Sequence, residues 1–215
     1  MSLMLLGDIH GVFDELAGAV QRAPSEVTAI LQVGDFGWYA RRIHYFDSYT
    51  PRIPVFFIDG NHEQHALLES YTEITELADN ISFVPRGTVL TIDGVRIACM
   101  GGAASVDKAI QMQYRQWSNL ENITPEQVDR FANVKEGDVD LFVTHVPPQS
   151  VIQQHFDPYN LSYFGLPPTW RDPNADIVEK LWNQFGRPYM AFGHMHRSID
   201  GPGYRLLDIN EALVI

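Results

Sequence analysis

Short apolar runs recur along this chain, and most stop at a glycine next to an aspartate, asparagine or histidine. Residues 3–6 form the first run, of strand length, and it ends in Gly7-Asp8-Ile9-His10-Gly11. Residues 12–22 carry Val12, Leu16, Ala19 and Val20 at helical spacing, which predicts a helix with one face on a sheet. Residues 28–33 and 54–58 read as two further strands, ending in Gly34-Asp35-Phe36-Gly37 and Asp59-Gly60-Asn61-His62-Glu63, the latter leading into a helix through about Leu77. Residues 88–92 and 95–100 flank Asp93-Gly94, the chemistry of a two-residue hairpin turn, so the sheet system is mixed. Residues 103–133 read as helical or irregular, with Thr124-Pro125-Glu126-Gln127 supplying an N-cap and first turn. Strands at 139–143 and 189–192 end in Thr144-His145 and Gly193-His194-Met195-His196, and 204–209 is expected to close the sheet as a hairpin partner after Gly201-Pro202-Gly203. The pattern predicts an α/β fold whose chemistry collects at the C-terminal ends of strands.

Charge changes this picture. Fifteen basic residues against 27 acidic give a net charge of −12, which repels nucleic acid and anionic membrane surfaces and offers a polynucleotide no basic track. A phosphate-bearing substrate therefore needs local positive charge, which bound cations supply. Cys99 is the sole cysteine, so an intrachain disulfide and thiolate metal clusters are excluded. The first apolar run is about five residues, against roughly 7–15 for a signal-peptide core, and no run approaches the ~20 of a membrane span. A cytoplasmic compartment is expected. Nothing marks a domain boundary, so residues 1–215 read as a single domain. Within it, 147–173 is proline-rich and carries Phe156, Tyr159, Tyr163, Phe164 and Trp170. This segment is expected to be an ordered lid or long active-site loop, or else a subunit contact, and its rings either stack a nucleotide base or bury one another.

The polar residues at the strand ends are Asp8, His10, Asp35, Asn61, His62, His145, His194 and His196, all metal ligands or proton-transfer groups by type. On extended strand ends, Asp8 and His10 would point the same way across Ile9, and His194 and His196 across Met195. The ordered series Gly7-Asp8-Ile9-His10, Gly34-Asp35, Gly60-Asn61-His62-Glu63, Thr144-His145 and Gly193-His194-Met195-His196 resembles the calcineurin-like metallophosphoesterase family across nearly the whole chain. The resemblance implies a four-layer α/β/β/α sandwich of two mixed sheets with a dinuclear centre at the strand ends. By position it implies that Asp8, His10 and His196 hold one metal and Asn61, His145 and His194 the other, with Asp35 bridging and His62 as the catalytic histidine outside the metal shell. Two divalent or trivalent ions (Mn, Fe or Zn) would then activate a shared water to attack a phosphate mono- or diester, nucleotide-like or another small phosphoester, without a covalent enzyme intermediate.

Departures from the family pattern shape the expected substrate. Phosphoprotein phosphatases of this superfamily read GDxxDRG at the second motif. Here Trp38 stands where the aspartate that orients the catalytic histidine would be, and Tyr39 replaces the phosphate-clamping arginine. A small phosphoester is therefore favoured, with a protein serine/threonine phosphatase and a non-catalytic scaffold of the same fold as alternatives. Arg41 and Arg42 are candidates for binding substrate phosphate from the next turn. Glu63 is expected to cap or orient the helix after its strand, and His65, about one helical turn beyond His62, to be an ordinary buried or surface histidine, with a place behind the metal ligands as the alternative. Gly101-Gly102-Ala103, with Ser105-Val106-Asp107-Lys108 and Arg115, resembles a subgroup of bacterial and phage-like members.

Overall fold

The computed structural model describes residues 2–114 and 116–215. Two six-stranded sheets carry the chain. The first contains β1 (Ser2–Leu6), β2 (Val27–Gln32), β3 (Val55–Phe57), β4 (Thr75–Ala78), β5 (Ile81–Phe83) and β12 (Ala212–Val214), in the order β12-β1-β2-β3-β5-β4. The second contains β6 (Thr88–Ile92), β7 (Val95–Met100), β8 (Leu141–Thr144), β9 (Tyr189–Phe192), β10 (Ile199–Gly201) and β11 (Tyr204–Leu206), in the order β10-β11-β9-β8-β7-β6. Each sheet has four parallel central strands and an antiparallel strand at either edge. Strands buried on both faces need no polar alternation, which is why β1 and β8 read as unbroken apolar runs.

Side-chain alternation builds three apolar layers from these strands. In β1, Leu3 and Leu5 face inward, where they meet Ala29, Leu31, Ile97, Cys99, Leu141 and Val143 between the sheets. Met4 and Leu6 face outward onto α1 (Phe13–Arg22) through Phe13, Leu16 and Val20. On the far side, Phe142, Met190 and Phe192 pack against α4 (Gln149–His155) and α5 (Pro173–Gln184) through Val151, Val178, Leu181 and Trp182. The result is the α/β/β/α sandwich.

The hairpin at Asp93-Gly94 pairs as predicted, Ile92 opposite Val95. Between α2 (Lys108–Gln113) and β8, the Thr124 N-cap starts α3 (Pro125–Asp129) with a complete capping box. Three expectations are corrected. No helix runs from Glu63 to Leu77: a 3-10 turn at His65–Leu67 is followed by β4, which pairs antiparallel with β5. Tyr204–Leu206 does form a hairpin strand, but the edge belongs to β10, and β11 lies between it and β9. The segment 147–173 is not one loop, since it holds α4 and a 3-10 helix at Pro158–Phe164. The helix α5 that follows had a legible start, with Asp172 as N-cap and Pro173 in the first turn. Among the described residues, no helix is long and apolar enough to cross a membrane.

Candidate metal centre

Five loops leave the C-terminal ends of parallel strands β1, β2, β3, β8 and β9, and converge at one end of the sandwich. Strand alternation is not what aims the ligand-type side chains. The strands stop at Leu6, Gln32 and Phe192, and His10 (φ 47°), Asp35 (φ 53°), His194 (φ 70°) and His196 (φ 48°) all sit in the left-handed region. Non-glycine residues are uncommon there, and the cost is borne where surrounding structure over-determines the turn. Neighbouring glycines make the room. A Cβ on Gly60 would strike Asp35 Oδ1, one on Gly193 would strike Asp8 Oδ1, and one on Gly34 would strike the His145 ring.

Backbone donors fix the two carboxylates. The His194 N–H donates to Asp8 Oδ2 at 3.0 Å, and the His62 N–H donates to Asp35 Oδ1 at 2.7 Å. Both carboxylates are buried. Around Asp8, His196 Nε2 lies 3.3 Å and His10 Nε2 4.0 Å from Oδ2, and the two imidazole nitrogens are 3.0 Å apart. Asp35 Oδ2 lies 3.7 Å from His10 Nδ1, so Asp8, His10, Asp35 and His196 offer four donor atoms within 4.8 Å of one another, a group that could hold a metal ion. Asp35 Oδ1 faces the other way, 3.3 Å from His145 Nε2, which is itself 3.3 Å from Asn61 Oδ1. His194 stands beside His145 with ring centroids 5.0 Å apart. All seven residues read as ligands from the sequence therefore meet here.

Electrostatics explain how such a cluster holds together. Burial disfavours charge on Asp35, yet His145, His62 and His10 around it hold its carboxyl well below the usual carboxylate range. His145 is pushed up: burial works against it, but Asp35 and Asp8 favour its charged form. Its hydrogen bond to the Asp8 carboxylate raises His196. Burial lowers His10 and His194, which favours the neutral imidazole, the form that can donate a lone pair. An all nitrogen-and-oxygen donor set with two carboxylates suits Mn, Fe or Zn.

Supporting residues come from the 105–107 stretch quoted for the subgroup and from Trp117 and Glu121, which no motif marks. Asn61 Nδ2 donates to Ser105 Oγ at 3.1 Å, Ser105 Oγ donates to Glu121 Oε2 at 2.5 Å, and Trp117 Nε1 donates to Glu121 Oε1 at 2.9 Å. This chain turns the Asn61 amide so that its oxygen faces His145. With Val33 O at 3.0 Å accepting from His145 Nδ1, Nε2 is the nitrogen turned toward Asp35 Oδ1 and Asn61 Oδ1. His62 has an acidic neighbour after all: Asp107 Oδ2 lies 3.9 Å from its Nε2. Asp107 arrives from the loop before α2, not from the second motif, where buried Trp38 packs against Phe57. Arg115, quoted with that loop, lies outside the described residues.

Other expectations shift. Glu63 caps no helix; its carboxylate accepts from the Gly37 and Trp38 N–H groups and shapes the second motif loop. His65 is buried against Asp59 at 3.6 Å, in a pair with Arg86. Arg42 donates to the His10 carbonyl and, like Arg41, lies over the Tyr39 ring. Neither arginine lines the cavity that opens at the cluster, whereas Arg171 does.

Comparison with known proteins agrees with the motif series. The calcineurin-like phosphoesterase profile matches residues 1–198. The chain belongs to this family. Calcineurin-like phosphoesterases are metal-dependent phosphoester hydrolases, and the converging loops are where this member carries the family's motifs. A lariat debranching enzyme from Schizosaccharomyces pombe is 22% identical over 224 residues, covering 91% of this chain and 48% of that enzyme. The chain thus spans about half the length of that relative.

Proposed function

We propose that this calcineurin-like phosphoesterase hydrolyses a small phosphate mono- or diester at a two-ion centre. Asp8, His10 and His196 would hold one ion, Asn61, His145 and His194 the other, with Asp35 shared between them. The observation that carries this reading is the two-sided placement of Asp35, whose Oδ2 faces His10 and whose Oδ1 faces His145. When bound, two such ions supply an activated water nucleophile and neutralise the oxygens of an in-line displacement at phosphorus. The remaining steps belong to the protein's own side chains. His62, at the cavity wall and beside Asp107, would protonate the departing alkoxide or stabilise charge at phosphorus. The 3.9 Å approach of Asp107 Oδ2 favours a ring orientation that presents one nitrogen to substrate. A net charge of −12 makes the cluster, rather than the surface, the source of attraction for a phosphate. The reading includes a single domain over 1–215, with 147–173 walling the substrate cavity, and a cytoplasmic setting.

The test is metal analysis alongside turnover of bis(p-nitrophenyl) phosphate and p-nitrophenyl phosphate. Protein loaded with Mn is expected to bind about two ions per chain and release p-nitrophenol. Asp35→Asn should abolish release and reduce bound metal. Turnover in Asp35→Asn equal to that of the parent would rule the centre out.

A further inference from the structure

The cavity that opens at the metal centre, about 590 Å³, continues well past the ligand-type residues. Its near end is Asp35, Asn61, His62, His194 and His196, and its far end is walled by Ile152, Phe156, Leu161, Phe164 and Trp170. Aromatic rings in the sandwich are paired: Phe36 stacks on Phe57 at 4.2 Å, and Phe142 meets Phe185 edge-on at 5.1 Å. Among the described residues, Phe156, Phe164 and Trp170 have no ring partner, and Phe164 leaves 44% of its surface exposed. Phe164 and Trp170 offer ring faces to the cavity, while Phe156, which also lines it, has the Arg197 guanidinium over its ring at 5.4 Å.

Polar residues stand among the rings, Asp157, Arg171 and Asp172 with three carboxamides. The carboxamides of Gln149, Gln153 and Asn160 line the same space. Gln149 Oε1 is shut off from solvent and has no hydrogen-bond partner. Buried polar atoms are normally paired, so an orphaned acceptor in a cavity wall points to a donor brought by a ligand. A carboxamide both donates and accepts, and aromatic walls offer stacking faces. The complement is a flat ring with π faces and a mixed donor–acceptor edge, which is the description of a nucleobase. A cavity of this size suits a small ligand, enough for a base with its sugar, and the acidic surface disfavours a long polyanion.

We propose that this chamber is a nucleobase subsite, resting on the phosphoesterase reading above. The substrate class is then a nucleotide phosphoester, with the base against Phe156, Phe164 and Trp170, its edge met by Gln149, and its phosphorus at Asp35. Inhibition of bis(p-nitrophenyl) phosphate hydrolysis tests this without assuming which side of the scissile bond carries the base. Adenosine or cytidine 5′-monophosphate should inhibit about ten-fold more tightly than ribose 5-phosphate, which keeps the sugar and phosphate and lacks the base. Trp170→Ala should bring the two constants together, and Gln149→Leu should remove the margin of the nucleotide over phenyl phosphate. Equal constants for nucleotide and sugar phosphate, or for nucleotide and phenyl phosphate, in the parent protein would overturn the subsite while leaving the phosphoesterase standing. If nothing is hydrolysed, the phosphoesterase reading fails, and the subsite is judged by saturation-transfer NMR of the metal-free protein. Base protons of the nucleotide saturating in the parent and not in Trp170→Ala support it; no saturation in the parent overturns it.

Discussion

The two ends of the cavity are built in opposite ways. At the ligand end, left-handed backbone turns, space-making glycines and backbone N–H donors hold Asp8 and Asp35 in place. At the far end, Phe156, Phe164 and Trp170 stand on short helices and turns and have no aromatic ring partner among the described residues. A constellation that must hold several charges in fixed positions is over-determined by its loops, because small displacements of charged groups in a buried site are costly. An apolar wall needs only surface of roughly the right shape, and tolerates change.

Substitutions at four places, ordered by expected effect, probe that contrast beyond Asp35→Asn. At the ligand end, His62→Ala should lower kcat by about 10²–10⁴-fold with metal content unchanged. A fall in bound metal instead would make His62 a ligand and break its assignment as the proton-transfer group. Next comes the buried Asp59–Arg86 pair beneath the third loop, where Arg86 also donates to the Asn122 and Glu121 carbonyls. Arg86→Ala strands a buried carboxylate and should cost about 3–5 kcal/mol in urea unfolding. Burial opposes the charge on Asp59, but Arg86 and His65 hold its pKa below the ordinary value. A depressed folded-state pKa means this contribution is present above the unfolded carboxylate range and lost as pH falls through it and on to the folded value. The parent protein's urea midpoint should therefore drop on acidification below about pH 4, and that component should be missing in Asp59→Asn. A smaller effect is expected for Ser105→Ala, which frees the Asn61 amide to rotate: a loss of about 10–100-fold in activity or metal affinity, read by metal titration. Unaltered titration would show that Ser105 does not orient the ligand. The smallest effect belongs to the wall. Phe164→Ala should change unfolding stability by no more than about 0.5 kcal/mol, whereas Phe142→Ala, fully buried, should cost about 3–5 kcal/mol. A large loss in Phe164→Ala would mean that the ring is structural and would remove the contrast.

Much of the fold was legible because its signals are local. Apolar runs of strand length, the Asp93-Gly94 turn and the Thr124 cap each act over a few residues, and each appears in the structure where it was read. The stretch after Glu63 reads as helix, but 75–78 is held as a strand by its antiparallel pairing with β5, which in turn lies parallel to β3, and no local pattern carries that pairing. The seven ligand-type residues were legible as residue types in motif order, but not the way they converge. Alternation along extended strands was the expected cause, and turns with positive φ at His10, Asp35, His194 and His196 are the observed one.

The motif side chains and their order along the chain, and the apolar runs that deliver them, are properties of the sequence itself, since strand-length burial and turn chemistry are decided by neighbours. Three pairings were decided only by the tertiary structure: Asp107 with His62 across 45 residues, Ser105 with Asn61 across 44, and the aromatic wall with the metal centre. The reason is physical. A hydrogen bond or a shared cavity depends on which loops the sheet order brings together, and no periodicity in the sequence encodes the distance between strands that are not neighbours in the chain.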